Sequence, residues 1–136
     1  MYAYLFKSST EQRSNDKFKL VHTLSERQKK ASACKKMKPG YFPLVIENYN
    51  AETPALEKKL YAIPEYFTFF RLKSYILEQL KKKSTNKFLE ASTLIVTVGN
   101  PSYLPSSNET LKSIYEIFKD DDGLLYVSYT FEVAFG

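Results

Sequence analysis

Apolar residues along the chain switch between helical and strand spacing, and the switches mark out the elements. Thr23-Leu-Ser-Glu26 has the form of a capping box. Behind it Leu24, Ala31 and Cys34 share one helical face, while Lys29, Lys30, Lys35 and Lys36 occupy the rest. Pro39-Gly40 stops this helix. Tyr41 to Glu47 is predicted as a strand, Asn48 to Pro54 as a turn region, and Lys59 to Ile63 as a second strand ended by Pro64. The two strands form an antiparallel hairpin with a long loop. Thr68 caps a helix whose apolar positions are Phe69, Leu72, Ile76 and Leu80, and Lys81, Lys82 and Lys83 complement the dipole at its end. Thr93 to Val98 is rich in β-branched residues and is predicted as a central strand, broken by Gly99-Asn100-Pro101-Ser102. Ser107 or Asn108 opens a last helix carrying Leu111, Ile114, Tyr115 and Phe118 on one face. Asp120-Asp121-Asp122-Gly123 makes a turn, predicted to be solvated, and Leu124 to Thr130 is the last strand. The order is helix, then β-β-α-β-α-β. Without a βαβα rhythm, this is an α+β chain with a mixed four-stranded sheet and its helices on one face.

The N-terminal end stands apart. Met1-Tyr-Ala-Tyr-Leu-Phe6 is apolar but short, and runs into Lys7 and Ser8 rather than forming the core of a signal peptide. Residues 7–17 are polar and unpatterned. Residues 1–17 are therefore expected to be a flexible extension, and residues 18–136 one domain. Apolar runs stay well short of the ~18 residues of a membrane-spanning helix.

Composition narrows the chemistry. The chain has 136 residues, 43% hydrophobic and 15% aromatic, enough for a core without staples. A net charge of +5 suits acidic partners or simply a soluble surface. The single cysteine, Cys34, excludes an internal disulfide and is expected to be a small packing residue. One Cys and one His, His22, cannot build a metal site, and the four glycines are not clustered into a phosphate loop. No enzyme, metal or cofactor is expected, and no motif points to nucleic acid.

Several stretches together resemble a known family. Pro39-Gly-Tyr-Phe-Pro-Leu-Val-Ile-Glu47, Lys58-Lys-Leu-Tyr-Ala-Ile-Pro64, Ile114-Tyr115, Asp121-Asp-Gly-Leu-Leu-Tyr-Val-Ser-Tyr129 and Phe135-Gly136 occur in the order found in the GABARAP/light-chain-type autophagy modifiers. The resemblance covers roughly residues 18–136, with a small insertion near Pro101-Ser102. It implies a ubiquitin-like β-grasp fold with one or more additional N-terminal helices.

The resemblance also implies a chemistry. Such modifiers are activated as a C-terminal acyl-adenylate, passed through cysteine thioesters on activating and conjugating enzymes, and joined to phosphatidylethanolamine. Gly136 would be the residue conjugated and Phe135 the aromatic residue before it. Were Gly136 the native end, exposing it would need no protease, although a deconjugating cysteine protease would still be needed. The protein would be cytoplasmic and monomeric before conjugation, and on autophagosome membranes after lipidation. Receptors carrying aromatic-x-x-aliphatic motifs would bind as an added strand. Cys34, Pro43, Leu60, Ala62 and Leu124 would line the aromatic pocket, with Leu60 alternating outward from its strand. Tyr61, Ile63, Phe67, Leu72 and Tyr75 would line the aliphatic pocket.

Departures from the family pattern bear on the ligand. Lys30 stands at a usually acidic position and Leu60 at a usual lysine. Cys34 and Ala62 are smaller than usual, and Tyr41 and Leu77 replace common arginines. A roomier, less cation-dependent aromatic pocket is expected. The alternatives are a sister modifier conjugated to a lysine of an autophagy protein, and a non-conjugated peptide-binding adaptor.

Overall fold

A computed structural model describes residues 4–5, 17–83 and 93–132. Its elements are β1 (Tyr4–Leu5), α1 (Phe18–Val21), α2 (Leu24–Met37), β2 (Tyr41–Asn48), β3 (Leu60–Pro64), α3 (Phe69–Lys83), β4 (Leu94–Val98), α4 (Leu111–Phe118) and β5 (Leu125–Phe131). They form a mixed sheet in the order β1-β3-β2-β5-β4. The β2–β3 hairpin is antiparallel, β2 and β5 pair in parallel at the centre, and β4 pairs antiparallel with β5. This is the expected ubiquitin-like arrangement with one strand added: β1, from the N-terminal extension, lies antiparallel on the outer edge of β3. The rest of the extension before Lys17 lies outside the described residues.

Local chemistry sets the element ends. Thr23 Oγ1 accepts the Glu26 N–H at 3.2 Å and Glu26 Oε1 accepts the Thr23 N–H at 2.7 Å, so the predicted capping box starts α2. Gly40, at φ +85°, turns the chain from α2 into β2 in the left-handed region. Thr68 Oγ1 caps α3 by accepting the Arg71 N–H. The last helix starts later than Ser107 or Asn108, capped by Thr110. The Glu109 carboxylate accepts the Ser106 N–H at 2.6 Å and holds that stretch as a turn.

Two corrections concern the sheet. Helices cover both faces rather than one. On one face α3 and α4 bury Leu44, Ile46, Tyr61, Ile63, Leu72, Ile76, Leu80, Ile114, Val127 and Tyr129 in the main core. On the other, Phe18 of α1 and Ala31 of α2 pack with Val45, Leu60 and Leu124. Strands β2 and β3 are consequently buried almost without alternation. The other correction is β4, which is an edge strand with Ile95 exposed, not a central one. Its β-branched residues report fit to a pleated surface, not position in the sheet.

α2 meets the sheet through two small side chains, Ala31 and Cys34. Leu24, expected on the same face, is 50% exposed at the first helical position. The small face lets the 120–123 turn come close. Gly123 has φ +88°, and a Cβ there would lie 3.1 Å from the Ala31 Cβ. The turn is not simply solvated, as had been expected. Asp122 is buried, accepting the Leu124 N–H at 2.8 Å and the Tyr126 hydroxyl at 2.6 Å, with Arg27 Nε 3.3 Å away.

Candidate functional site

β3 carries the candidate groove. The Ile46 N–H donates to the Lys59 carbonyl at 2.8 Å, and the Glu65 N–H to the Gly40 carbonyl at 2.9 Å. With the register Phe42↔Ile63 and Leu44↔Tyr61, the backbone groups of Lys59, Tyr61 and Ile63 face β2. Those of Leu60 and Ala62 therefore face the opposite edge. Pro43 sits opposite Ala62, at a non-bonded position where its missing N–H costs the hairpin nothing. Pairing of β2 with β5 begins only at Leu44, so Pro43 leaves no gap there either.

The two predicted pocket sets fall on opposite faces of this strand. Tyr61, Ile63, Phe67, Leu72 and Tyr75 share the main core beneath α3. The Tyr61 and Tyr75 rings meet edge to face at 6.1 Å, and Tyr61 donates its hydroxyl to the Lys58 carbonyl at 2.9 Å. Burial pushes the Tyr75 hydroxyl up to about 12, with Glu78 adding to the shift, so it stays a neutral donor. Leu60 and Leu124 lie together on the α2 face. Cys34, Pro43 and Ala62 are also buried, but they are not part of that apolar cluster.

All ten predicted pocket residues are buried in this state. Leu60, expected to alternate outward, is 4% exposed beneath Phe18 and Ala31. The strand does alternate, but helices cover both of its faces. Burial pushes the Cys34 thiol up to about 11, so it is a neutral packing group at neutral pH.

Charge is arranged around the groove in ways the sequence did not announce. Lys59 is buried, its Nζ 3.4 Å from Glu47 Oε2, while Lys58 is half-buried. The same Glu47 oxygen accepts the Phe18 N–H at 2.7 Å, fastening α1 to the sheet. Lys17 Nζ donates to the Asn48 carbonyl at 2.7 Å, and Lys19 pairs with Asp120 at 2.8 Å. At the departure positions, Lys30 is half-buried, Leu77 lies in the main core, and Tyr41 has the Lys38 ammonium 5.2 Å from its ring centre. The exposed lysines of α2 include Lys29, Lys35 and Lys36. Lys35 Nζ lies 4.8 Å from the Tyr115 ring centre.

Phe135 and Gly136 lie outside the described residues. The last described residue is Glu132, whose N–H donates to the Thr93 carbonyl at 2.7 Å where β5 leaves the sheet. Among the described residues no group of His, Cys, Asp and Glu could hold a metal ion, and no helix is long and apolar enough to cross a membrane.

A β-grasp sheet preceded by two helices defines a ubiquitin-like protein. Residues 26–136 match the family described as "Autophagy protein Atg8 ubiquitin like". Similar proteins include autophagy-related protein 8c of Arabidopsis thaliana, 32% identical over 90% of this chain and 98% of that protein. Human microtubule-associated protein 1 light chain 3 gamma is 31% identical over 88% of this chain and 78% of its own. Among solved structures, Trypanosoma brucei ATG8 superposes with a TM-score of 0.73 at 27% identity, covering 89% of this chain and 98% of that one. Plasmodium falciparum Atg8, solved in complex with a P. falciparum Atg3 peptide, gives 0.71 at 24% identity, covering 85% and 95%. The chain belongs to the Atg8 family of ubiquitin-like autophagy proteins.

Proposed function

We propose that the chain is a modifier joined through the carboxyl of Gly136 to the amine of phosphatidylethanolamine on autophagosomal membranes, where its β3 edge captures receptors bearing aromatic-x-x-aliphatic motifs. The observation that carries this reading is the family match, which spans residues 26–136. Activation forms an acyl-adenylate with release of pyrophosphate, and two cysteine thiols then carry the acyl group as thioesters. The lipid amine displaces the last thiolate to leave an amide. Gly136 has no Cβ, so its carbonyl can be approached from either side within a narrow enzyme channel. Anchoring comes from the lipid: one acyl chain holds a protein only marginally, while two hold it stably at about 0.8 kcal/mol per buried methylene. A cysteine protease that hydrolyses the amide returns the protein to the cytoplasm.

Peptide capture rests on the geometry of β3. Leu60 and Ala62 direct backbone donors and acceptors to one edge, and apolar side chains flank that edge on both faces. Exposed Lys29 and Lys36 on α2 suit anionic lipid or acidic residues beside the motif, at about 1 kcal/mol each near an anionic surface.

The test is expression of the full chain and Gly136→Ala in the native cells. Gel mobility and membrane sedimentation are followed, with phospholipase D treatment of the membrane fraction. A faster-migrating, phospholipase-sensitive membrane species that depends on Gly136 is expected. A Gly136-dependent adduct of higher mass would instead mark a modifier of protein lysines. No Gly136-dependent species would leave only an adaptor that uses the groove.

A further inference from the structure

The β3 edge on which peptide capture depends is already occupied by the chain itself. Tyr4 lies opposite Ala62 and Leu5 opposite Tyr61 in antiparallel register. Ala62 is one of the two residues whose backbone groups point away from β2, so Tyr4 pairs where an incoming strand would have to bond. This strand lies outside the part of the chain that matches the family, which begins at residue 26. Its sequence, Tyr2-Ala3-Tyr4-Leu5, has the same aromatic-x-x-aliphatic spacing as the ligands proposed for the groove.

The connection favours this pairing. Eleven residues, 6–16, join Leu5 to Lys17, and such a length of chain can span up to about 40 Å when extended. The far end is fixed, because Lys17 bonds the Asn48 carbonyl and Phe18 bonds Glu47. A tether of this length presents the strand to β3 at an effective concentration on the order of millimolar. Among the described residues the ladder spans Tyr4 and Leu5, short enough to be displaced.

We propose that β1, Tyr4–Leu5, is a built-in competitor: it closes the β3 edge, and a receptor peptide must displace it. The proposal rests on the peptide-capture reading of the same edge. An external peptide then meets a binding-competent state that is only fractionally populated, and its apparent dissociation constant rises by the inverse of that fraction.

The test uses a fluorescein-labelled peptide centred on Trp-Glu-Glu-Leu, titrated against three proteins. These are the full chain, the chain lacking residues 1–6, and full-length Tyr4→Pro, whose proline removes the N–H that faces Ala62 without shortening the tether. Amide exchange at Ala62 is measured in parallel. Expected are binding about 5- to 30-fold tighter for both altered proteins than for the full chain, and faster exchange of the Ala62 amide in both. Equal affinity for all three would overturn the competitor while leaving peptide capture standing. Weaker binding after truncation would overturn it too, since the segment would then belong to the binding surface. Tightening on truncation but not with Tyr4→Pro would show that strand pairing is not the cause. If the Ala62 amide exchanges alike in all three, β1 does not close this edge. No binding by any form would sink the peptide-capture reading and the competitor with it.

Discussion

Asp122→Ala should be among the most damaging single changes away from the main core, and the reason can be worked from its contacts. The Asp122 side chain is 0% exposed and that of Arg27 12%, with Nε and Oδ2 3.3 Å apart. The carboxylate also accepts the Leu124 N–H and the Tyr126 hydroxyl. Removing it leaves one guanidinium without its ion partner, and one buried and one half-buried donor without acceptors. A hydrogen bond to a charged group contributes about 1.5–3 kcal/mol, and breaking a buried pair by deleting one partner costs about 3–5 kcal/mol. These share one residue and do not add, so the expected loss is about 3–5 kcal/mol in all. The neighbouring pair, Lys19 with Asp120, has side chains 45% and 29% exposed. Asp120→Asn should therefore cost about 1 kcal/mol or less. Urea unfolding followed by circular dichroism and tyrosine fluorescence reads both, since the chain has 11 Tyr and no Trp. Adding Arg27→Met to Asp122→Ala should recover part of the loss, because the stranded charge is gone. Equal effects of Asp122→Ala and Asp120→Asn, or a loss below about 1 kcal/mol for the former, would refute the argument that burial sets the strength of this contact.

Two further changes test the N-terminal helices. His22 is buried with its Nε2 lacking a hydrogen-bond partner. Burial chiefly, and then the Lys30 and Arg27 charges, hold its pKa below 6.5 against the opposing pull of Glu26. The unfolded chain thus takes up the proton more readily. Stability is full above the unfolded pKa and falls as pH drops through the folded one. His22→Leu should flatten the decline in urea midpoint between about pH 7 and pH 5, and an unaltered pH slope would count against this origin. Thr23→Ala removes the acceptor for the Glu26 N–H and should cost about 1 kcal/mol in the same unfolding assay, with Thr23→Ser nearer wild type.

The elements were legible where local chemistry and long-range packing agree. Thr23-x-x-Glu26, Thr68 and the run Phe69, Leu72, Ile76, Leu80 each say the same thing at every level, and α2 and α3 start where those residues predict. Misreadings arose where a residue's role depends on an element distant in sequence. Leu60 alternates as its strand requires, yet Phe18 of α1 covers the face it points to. The 120–123 turn carries three acids in succession, and nothing local says that one of them meets Arg27, almost a hundred residues earlier. The apolar run Met1 to Phe6 was the available signal for β1, because six such residues without a packing partner are unusual on a polar arm. The pairing with Ala62 and Tyr61 gives Tyr4 and Leu5 of that run a place.

The two halves of the candidate groove differ in how they are held, and this bears on how a ligand would enter. On the aliphatic side, Tyr61, Ile63, Phe67, Leu72 and Tyr75 belong to the main core shared with α3, α4 and the rest of the sheet. Space made there disturbs the packing on which the whole domain depends. On the aromatic side, the cover is α1 and α2. Small side chains, Ala31 and Cys34, bury the inner face of α2, and polar contacts fasten the pair at its margins. Those contacts are Lys17 to Asn48, Phe18 to Glu47, Lys19 to Asp120 and Arg27 to Asp122. Phe18 and the buried Arg27–Asp122 pair therefore carry much of the attachment of this cover, and weakening either is expected to loosen the aromatic side before the core.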